Sequence, residues 1–154
     1  TSALAPHTAP IVIQSIDGIS LQAATCCHPV PGDRIIGQMR GGHGLSIHRM
    51  DCETARKQIS RDAERWIDVQ WDEEVSGMFR TLIEITADDE RGILGRIASE
   101  ITASNADILQ VAMDTESEQV AIIRFTLQVQ DRDHLAEVFR RLRKLPQTRT
   151  ITRA

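Results

Sequence analysis

FRTLIEITADDERGILGRIASEITASNADILQVAM, residues 79–113, changes its periodicity twice, and those changes set the fold of the second half of the chain. Apolar and polar residues alternate through 79–87, as in a half-buried strand, whereas Ile93, Leu94, Ile97, Ala98 and Ile101 recur at helical spacing. Alternation returns in DILQVAM (107–113) and, after DTESE, runs on through QVAIIRFTLQV (119–129), where Ala121, Ile123, Phe125, Leu127 and Val129 share one face. Leu135, Val138, Phe139, Leu142 and Leu145 mark a second amphipathic helix. Asp131 is placed to cap it, the arginines of its last turn suit the helix dipole, and Pro146 stops it. TRTITR (148–153) completes the order βαββαβ, which predicts a ferredoxin-like antiparallel sheet with two helices on one face across 79–154.

Upstream the pattern is shorter in range. Residues 1–10, TSALAPHTAP, are small, polar and proline-containing, a tail or the end of a linker. IVIQSI and ISLQAA flank Asp17-Gly18 and predict a hairpin, because Asp-Gly accepts the positive φ of a tight turn. RIIGQM and LSIHRM read as strands around the glycine-rich loop RGGHG, Asp51 as the cap of a helix over CETARKQI, and RWIDVQW as a closing strand. A small β-rich, cysteine-containing domain is therefore expected over 11–72, an acidic linker over 73–78 and the βαββαβ domain over 79–154. The fold class is α+β.

No apolar run reaches the roughly 20 residues of a membrane span and no charged-then-apolar stretch resembles a signal peptide, so a cytoplasmic protein is expected. The chain starts at Thr1 rather than Met, which reads as a piece of something longer. A net charge of −4 argues against a wholly basic nucleic-acid binder, but the charge is segregated. Residues 26–61 hold Arg34, Arg40, Arg49, Arg56, Lys57 and Arg61, a second basic group lies at 140–153, and acidic residues fall between.

Three cysteines do not make a disulfide framework, and two of them are adjacent in CCHPVPGD, where a bridge between neighbours is strained. Cys26 and Cys27 with His48 and Cys52 offer thiolates and an imidazole for a tetrahedral zinc site, which would staple a domain with little core. The competing reading is that Cys26 or Cys27 is a small buried hydrophobe, since adjacent side chains diverge; Cys-His nucleophilic catalysis is a third, without an announced oxyanion site. Arg34, Arg40, His43 and Arg49 around the glycine-rich loop suit phosphate, although charge alone also fits a solvated surface. In the second domain Gly92 and the following helix start suit a carboxylate, while Asn105 and Asp107 could receive an ammonium; alternatively Gly92 turns the chain and Asn105 ends the helix.

CCHPVPGDRIIGQMRGGHGLSIHRMDC (26–52) strongly resembles the zinc-finger-like, or ribosome-intersubunit, domain of the RelA/SpoT-homologue family, and LIEITADDERGILGRIASEITASNADILQVAM and RLRKLPQTRTITR resemble that family's ACT domain. The resemblance covers about residues 20–153. It implies a regulatory, non-catalytic fragment of a long cytoplasmic enzyme that makes, and often hydrolyses, (p)ppGpp, with catalytic domains N-terminal to this chain. It further implies that Cys26, Cys27, His48, Asp51 and Cys52 inherit a zinc-like or structural role and that Arg49 is the foremost contact to ribosomal RNA. The ACT domain is expected to form a homodimer, with an amino-acid ligand, branched-chain ones among the candidates, touching Asp89, Gly92, Ile93, Asn105, Asp107 and Ile108 near a subunit interface. Glu90-Arg91-Gly92 stands where ACT domains often carry Arg-Pro-Gly, and Asp107 where they often carry Asn.

Overall fold

The computed structural model describes residues 11–14, 16, 20–42, 44–115, 117 and 119–154. The chain divides into two compact units at Gly77/Met78, with Val30–Gly32 assigned to the second.

In the first unit β1 (Ile11–Ile13), β2 (Leu21–Ala23), β3 (Ile35–Met39), β4 (Leu45–Arg49) and β5 (Trp66–Trp71) form one sheet in the order β1-β5-β3-β4-β2. The central strands pair antiparallel, while β1 joins β5 and β2 joins β4 in parallel at the two edges. The hairpin expected of β1 and β2 therefore does not form, and the Asp17-Gly18 turn lies outside the described residues. The physical reason is that β3, β4 and β5 leave two open edges, each of which a three-residue segment can close. In doing so Ile13, fully buried, and Leu21 reach the same core, with Ile35, Leu45, Ile47 and Val69. Gly44 permits the β2 closure: its φ is +82°, and any Cβ there would collide with the Ser20 carbonyl that accepts the Leu45 N–H at 2.8 Å.

LSIHR alternates apolar and polar residues, a pattern that reads as a strand with one wet face. Here both faces are covered. Leu45 and Ile47 enter the main core, and Ser46 and His48 are buried on the other side, where a second cluster gathers Ala24, Cys27, Cys52 and Ala55 with Trp66 packed against it. Ala55 belongs to α1 (Glu53–Arg61), whose N-cap is Cys52 and not Asp51 as the sequence suggests. Asp51 lies one residue too early and turns its exposed carboxylate to Arg49 Nε, 3.4 Å away.

The second unit forms the expected elements: β6 (Phe79–Asp88), α2 (Ile93–Ala103), β7 (Asp107–Thr115), β8 (Val120–Val129), α3 (Arg132–Arg143) and β9 (Thr148–Arg153). The sheet order is β7-β8-β6-β9, all antiparallel. Ile93, Ile97 and Ile101 of α2 and Leu135, Val138 and Leu142 of α3 bury against Ile83, Ile85, Ile123, Phe125 and Leu127 of the central strands. Each such aliphatic side chain, fully buried, is worth about 1.5–3 kcal/mol. Asp131 caps α3 as expected, its Oδ1 accepting the His134 N–H at 2.7 Å. Strand β7 lies at the sheet edge, with Leu109, Val111 and Met113 each about two-fifths exposed.

Candidate metal centre

The loop leaving β2 continues the sheet for one residue, Ala24 N–H donating to Ile47 O at 2.9 Å, and then turns sharply, His28 N–H donating back to Ala24 O at 2.9 Å. An extended chain would point Cys26 and Cys27 to opposite sides. The turn instead brings their sulfurs to 4.0 Å. The end of β4 contributes His48, and the start of α1 contributes Cys52. Cys26 Sγ lies 3.4 Å from His48 Nδ1 and 3.5 Å from Cys52 Sγ, Cys27 Sγ lies 4.0 Å from His48 Nδ1, and the four ligand atoms all fall within 4.8 Å of one another. These four side chains can hold a metal ion. Cys26 is exposed and the other three are buried.

The surroundings tune the group. Burial, and then the neighbouring thiols, push Cys27 up to about 12 although the Arg49 N–H donates to its sulfur at 3.3 Å. Cys26 is likewise raised, by burial and by Cys52. Burial acts in the same direction on Cys52, but the Ala55 N–H, the Cys26 and Cys27 thiols and the Thr54 N–H outweigh it, so its thiol is lowered. His48 is lowered, by burial first and by the Arg40 charge second, which favours the neutral imidazole that coordinates metals, its Nδ1 turned to the Cys26 and Cys27 sulfurs. Its Nε2 faces Ser46 Oγ at 3.5 Å, and its ring leans on Trp66 with centroids 5.2 Å apart. A bound ion would have to displace the thiol protons, so uptake releases protons.

Beside the cluster opens a cavity of about 630 Å³. Gln38 and Ser46, cross-strand partners, and His48 share the sheet face beneath it, Gln58 of α1 stands at one side, and Arg40 and Arg65 lie on its exposed rim. Arg65 is paired to Asp62 at 2.9 Å.

At the far end of the chain, Gly92 is the N-cap of α2 with φ +83°, a conformation other residues rarely adopt, and Asn105 follows the helix in the left-handed region at φ +65°. The eleven residues of α2 separate these two turns by about 16 Å at 1.5 Å per residue. Within one copy, therefore, Asp89, Gly92 and Ile93 do not meet Asn105, Asp107 and Ile108. Gly92 borders an open groove with Gly95, Arg96, Ser99, Glu100, Ala103 and Leu145, which includes none of the other five. Ile93 is buried in the core.

The family described as "RelA/SpoT RIS domain" matches residues 11–72, and the family described as "ACT domain" matches residues 76–153. The chain belongs to the RelA/SpoT family. It is 34% identical over 133 residues to a GTP pyrophosphokinase of Streptomyces coelicolor, covering 86% of this chain and 16% of that one. It is 33% identical over 135 residues to the bifunctional (p)ppGpp synthase/hydrolase RelA of Mycobacterium tuberculosis, covering 88% and 18%. The chain thus spans less than a fifth of these relatives, and what it matches is their regulatory region. Among solved structures, the ACT domain from the GTP pyrophosphokinase of Chlorobium tepidum aligns with a TM-score of 0.46 at 20% identity, covering 51% of this chain and all of that one.

The RIS domain thus contains the entire cysteine–histidine cluster, brought together by the β2 loop, β4 and α1. Of the arginines expected at RNA, Arg34 and Arg40 are exposed, while the Arg49 side chain is only 13% exposed and faces Asp51; His43 lies outside the described residues. Sequence reading missed Ser46, Trp66, Gln38 and Gln58. The signal for the first was present, since Ser46 and His48 stand two apart in a strand and so share a face.

Proposed function

We propose that this chain is the sensing part of a longer (p)ppGpp synthetase or hydrolase, in which a zinc-stapled RIS domain contacts ribosomal RNA and the ACT domain passes that signal to catalytic domains elsewhere in the protein. The observation that carries this reading is the convergence of Cys26, Cys27, His48 and Cys52 inside the matched RIS domain. A tetrahedral zinc with sulfur bonds of about 2.3 Å and a nitrogen bond of about 2.0 Å spaces its ligands by roughly 3.5–3.8 Å. Four of the six separations, at 3.4–4.0 Å, lie close to that spacing, and all six are within 4.8 Å. Four protein ligands leave no open position, so the ion would supply structure and no reaction step. Arg34 and Arg40 would supply charge to phosphate. Co-sedimentation of the chain with ribosomes tests the reading: the chain is expected in the pellet, and less of it after Arg34→Glu. A chain that stays in the supernatant with ribosomes in excess at low salt overturns it.

The exposed edge strand β7 supports a second element, pairing of two ACT domains through it. A pair of copies could set the Gly92 turn of one against Asn105 and Asp107 of the other, which one copy keeps apart. An amino acid would then bind between copies. Calorimetric titration with the twenty amino acids, pooled and then singly, should give saturable heat that Gly92→Val abolishes. Silence in every pool removes the amino-acid reading and leaves the ribosome reading standing.

A further inference from the structure

The cavity beside the cysteine cluster has a polar, cationic lining without a carboxylate among its lining residues, in a chain whose net charge is −4. Its volume of about 630 Å³ lies within the ~300–1,000 Å³ of small-molecule sites. Two buried polar side chains line it: Ser46 is 3% and His48 5% exposed. Ser46 Oγ has His48 Nε2 at 3.5 Å, the outer limit of a hydrogen bond, and retains capacity for a ligand.

Beside them on the same face Gln38 Nε2 donates to Gln58 Oε1 at 3.1 Å. Whichever way the two amides are turned, one bond between them leaves one amide donor and one amide acceptor available. A donor and an acceptor held on neighbouring amides can complement a nucleobase edge, which presents the same two kinds of group. Arg40 and Arg65 on the rim then supply what the rest of a nucleotide needs: a guanidinium for phosphate, and a planar cation that can lie on the face of a base.

We infer that this cavity of the RIS domain binds one nucleotide, its base edge on the Gln38–Gln58 amide pair and Ser46, its phosphate on Arg40. The inference deepens the ribosome reading and rests on it for the source: a base turned out of a single-stranded stretch of RNA. A free mononucleotide has the same chemistry. A phosphorylated peptide would engage the arginines alone and leave the amide pair without a partner, so the lining favours a nucleotide.

The test uses the full chain, with short fluorescently labelled homopolymers of each RNA base read by anisotropy at low salt. Unlabelled mononucleotides, inorganic phosphate, a phosphoserine peptide and duplex RNA serve as competitors. Saturable binding is expected, with a preference of about fivefold or more for one base, which Gln58→Ala reduces to near parity. Arg40→Ala should weaken all four homopolymers by roughly tenfold, as loss of a charge-assisted phosphate contact does. Arg143→Ala, in the ACT domain, should change nothing. Competition by a mononucleotide places the source as free nucleotide, and competition by RNA alone places it as RNA; either supports the site.

Displacement by inorganic phosphate or the phosphoserine peptide as effective as that by nucleotides overturns it, as does a base preference that survives Gln58→Ala. Duplex RNA bound while the homopolymers are not would remove the nucleotide pocket and leave the ribosome contact. Homopolymers bound by a chain that ribosomes ignore would do the reverse.

Discussion

In the ACT domain, two helices and the two central strands bury thirteen Ile, Leu, Val and Phe side chains, and no cysteine takes part. In the RIS domain, the main core is five aliphatic residues with four partly buried neighbours, and the second cluster is two cysteines and two alanines against a tryptophan. Apolar burial scales with area, so the first arrangement sustains itself while the second has little to offset chain entropy. What the RIS domain has instead is a set of four candidate ligand atoms that all lie within 4.8 Å of one another. With an ion held there as proposed, two routes to stability are joined in one chain, and they should fail under different insults.

Both tryptophans, Trp66 and Trp71, lie in the RIS domain, so intrinsic fluorescence reports that unit by itself. The largest effect should come from removing the metal. Structural zinc sites contribute on the order of 10 kcal/mol, and a strong chelator at neutral pH should unfold the RIS domain, shifting tryptophan emission to the red, while the ACT domain keeps its circular-dichroism signal. Emission unchanged by the chelator would show that the thiols are buried hydrophobes and break the contrast. Next in size, Phe125→Ala should cost about 3–5 kcal/mol through the cavity it leaves, lowering the ACT melting transition without moving tryptophan emission. A shift of both signals together would mean that the two domains melt as one.

A smaller effect sharpens the picture within the ACT domain. Asp131→Ala removes the cap on His134 N–H and should cost about 1 kcal/mol, with Asp131→Asn recovering most of it. The smallest concerns acid. The hydrogen bond from Arg140 outweighs desolvation and, with Arg141, holds the Glu137 carboxyl below its ordinary value. Its stabilisation is therefore present above the usual carboxylate pKa and lost as pH falls through the lowered native one. Glu137→Gln should flatten the acid side of the ACT stability profile slightly, and added salt should hide the difference because the pair is exposed. An unaltered profile at low salt would mean that the pair contributes nothing to stability.

The same contrast separates what could be read from the sequence from what could not. The ACT elements were legible because their information is local: alternation in 79–87, helical spacing from Ile93 to Ile101, and Asp131 followed by an amphipathic run. The RIS strands β3, β4 and β5 were legible for the same reason. The edges were not. Parallel pairing of three-residue segments with strands far along the chain leaves no short-range mark, so IVIQSI and ISLQAA read as partners of each other when each closes a different edge. Cys26, Cys27, His48 and Cys52 were legible as a candidate set and the structure brings them together, but the objection that adjacent cysteines diverge assumed an extended chain, and the turn after Ala24 removes it. Gly92 and Asn105 were paired for their ligand chemistry, and the length of α2, which keeps them apart within one copy, is what that pairing by residue type does not carry.

The parallel pairing of β1 has a temporal side. Its partner β5 is the last strand of the RIS domain, with Ile11 opposite Val69 and Ile13 opposite Trp71. During synthesis the first strand of the sheet must wait for the last, so the RIS sheet cannot close until residue 71 has cleared the exit tunnel. A chain growing at about 5–20 residues per second carries Ile11–Ile13 unpaired for several seconds. The apolar segment that seals the finished core is thus the one longest available to chaperones while the protein is being made.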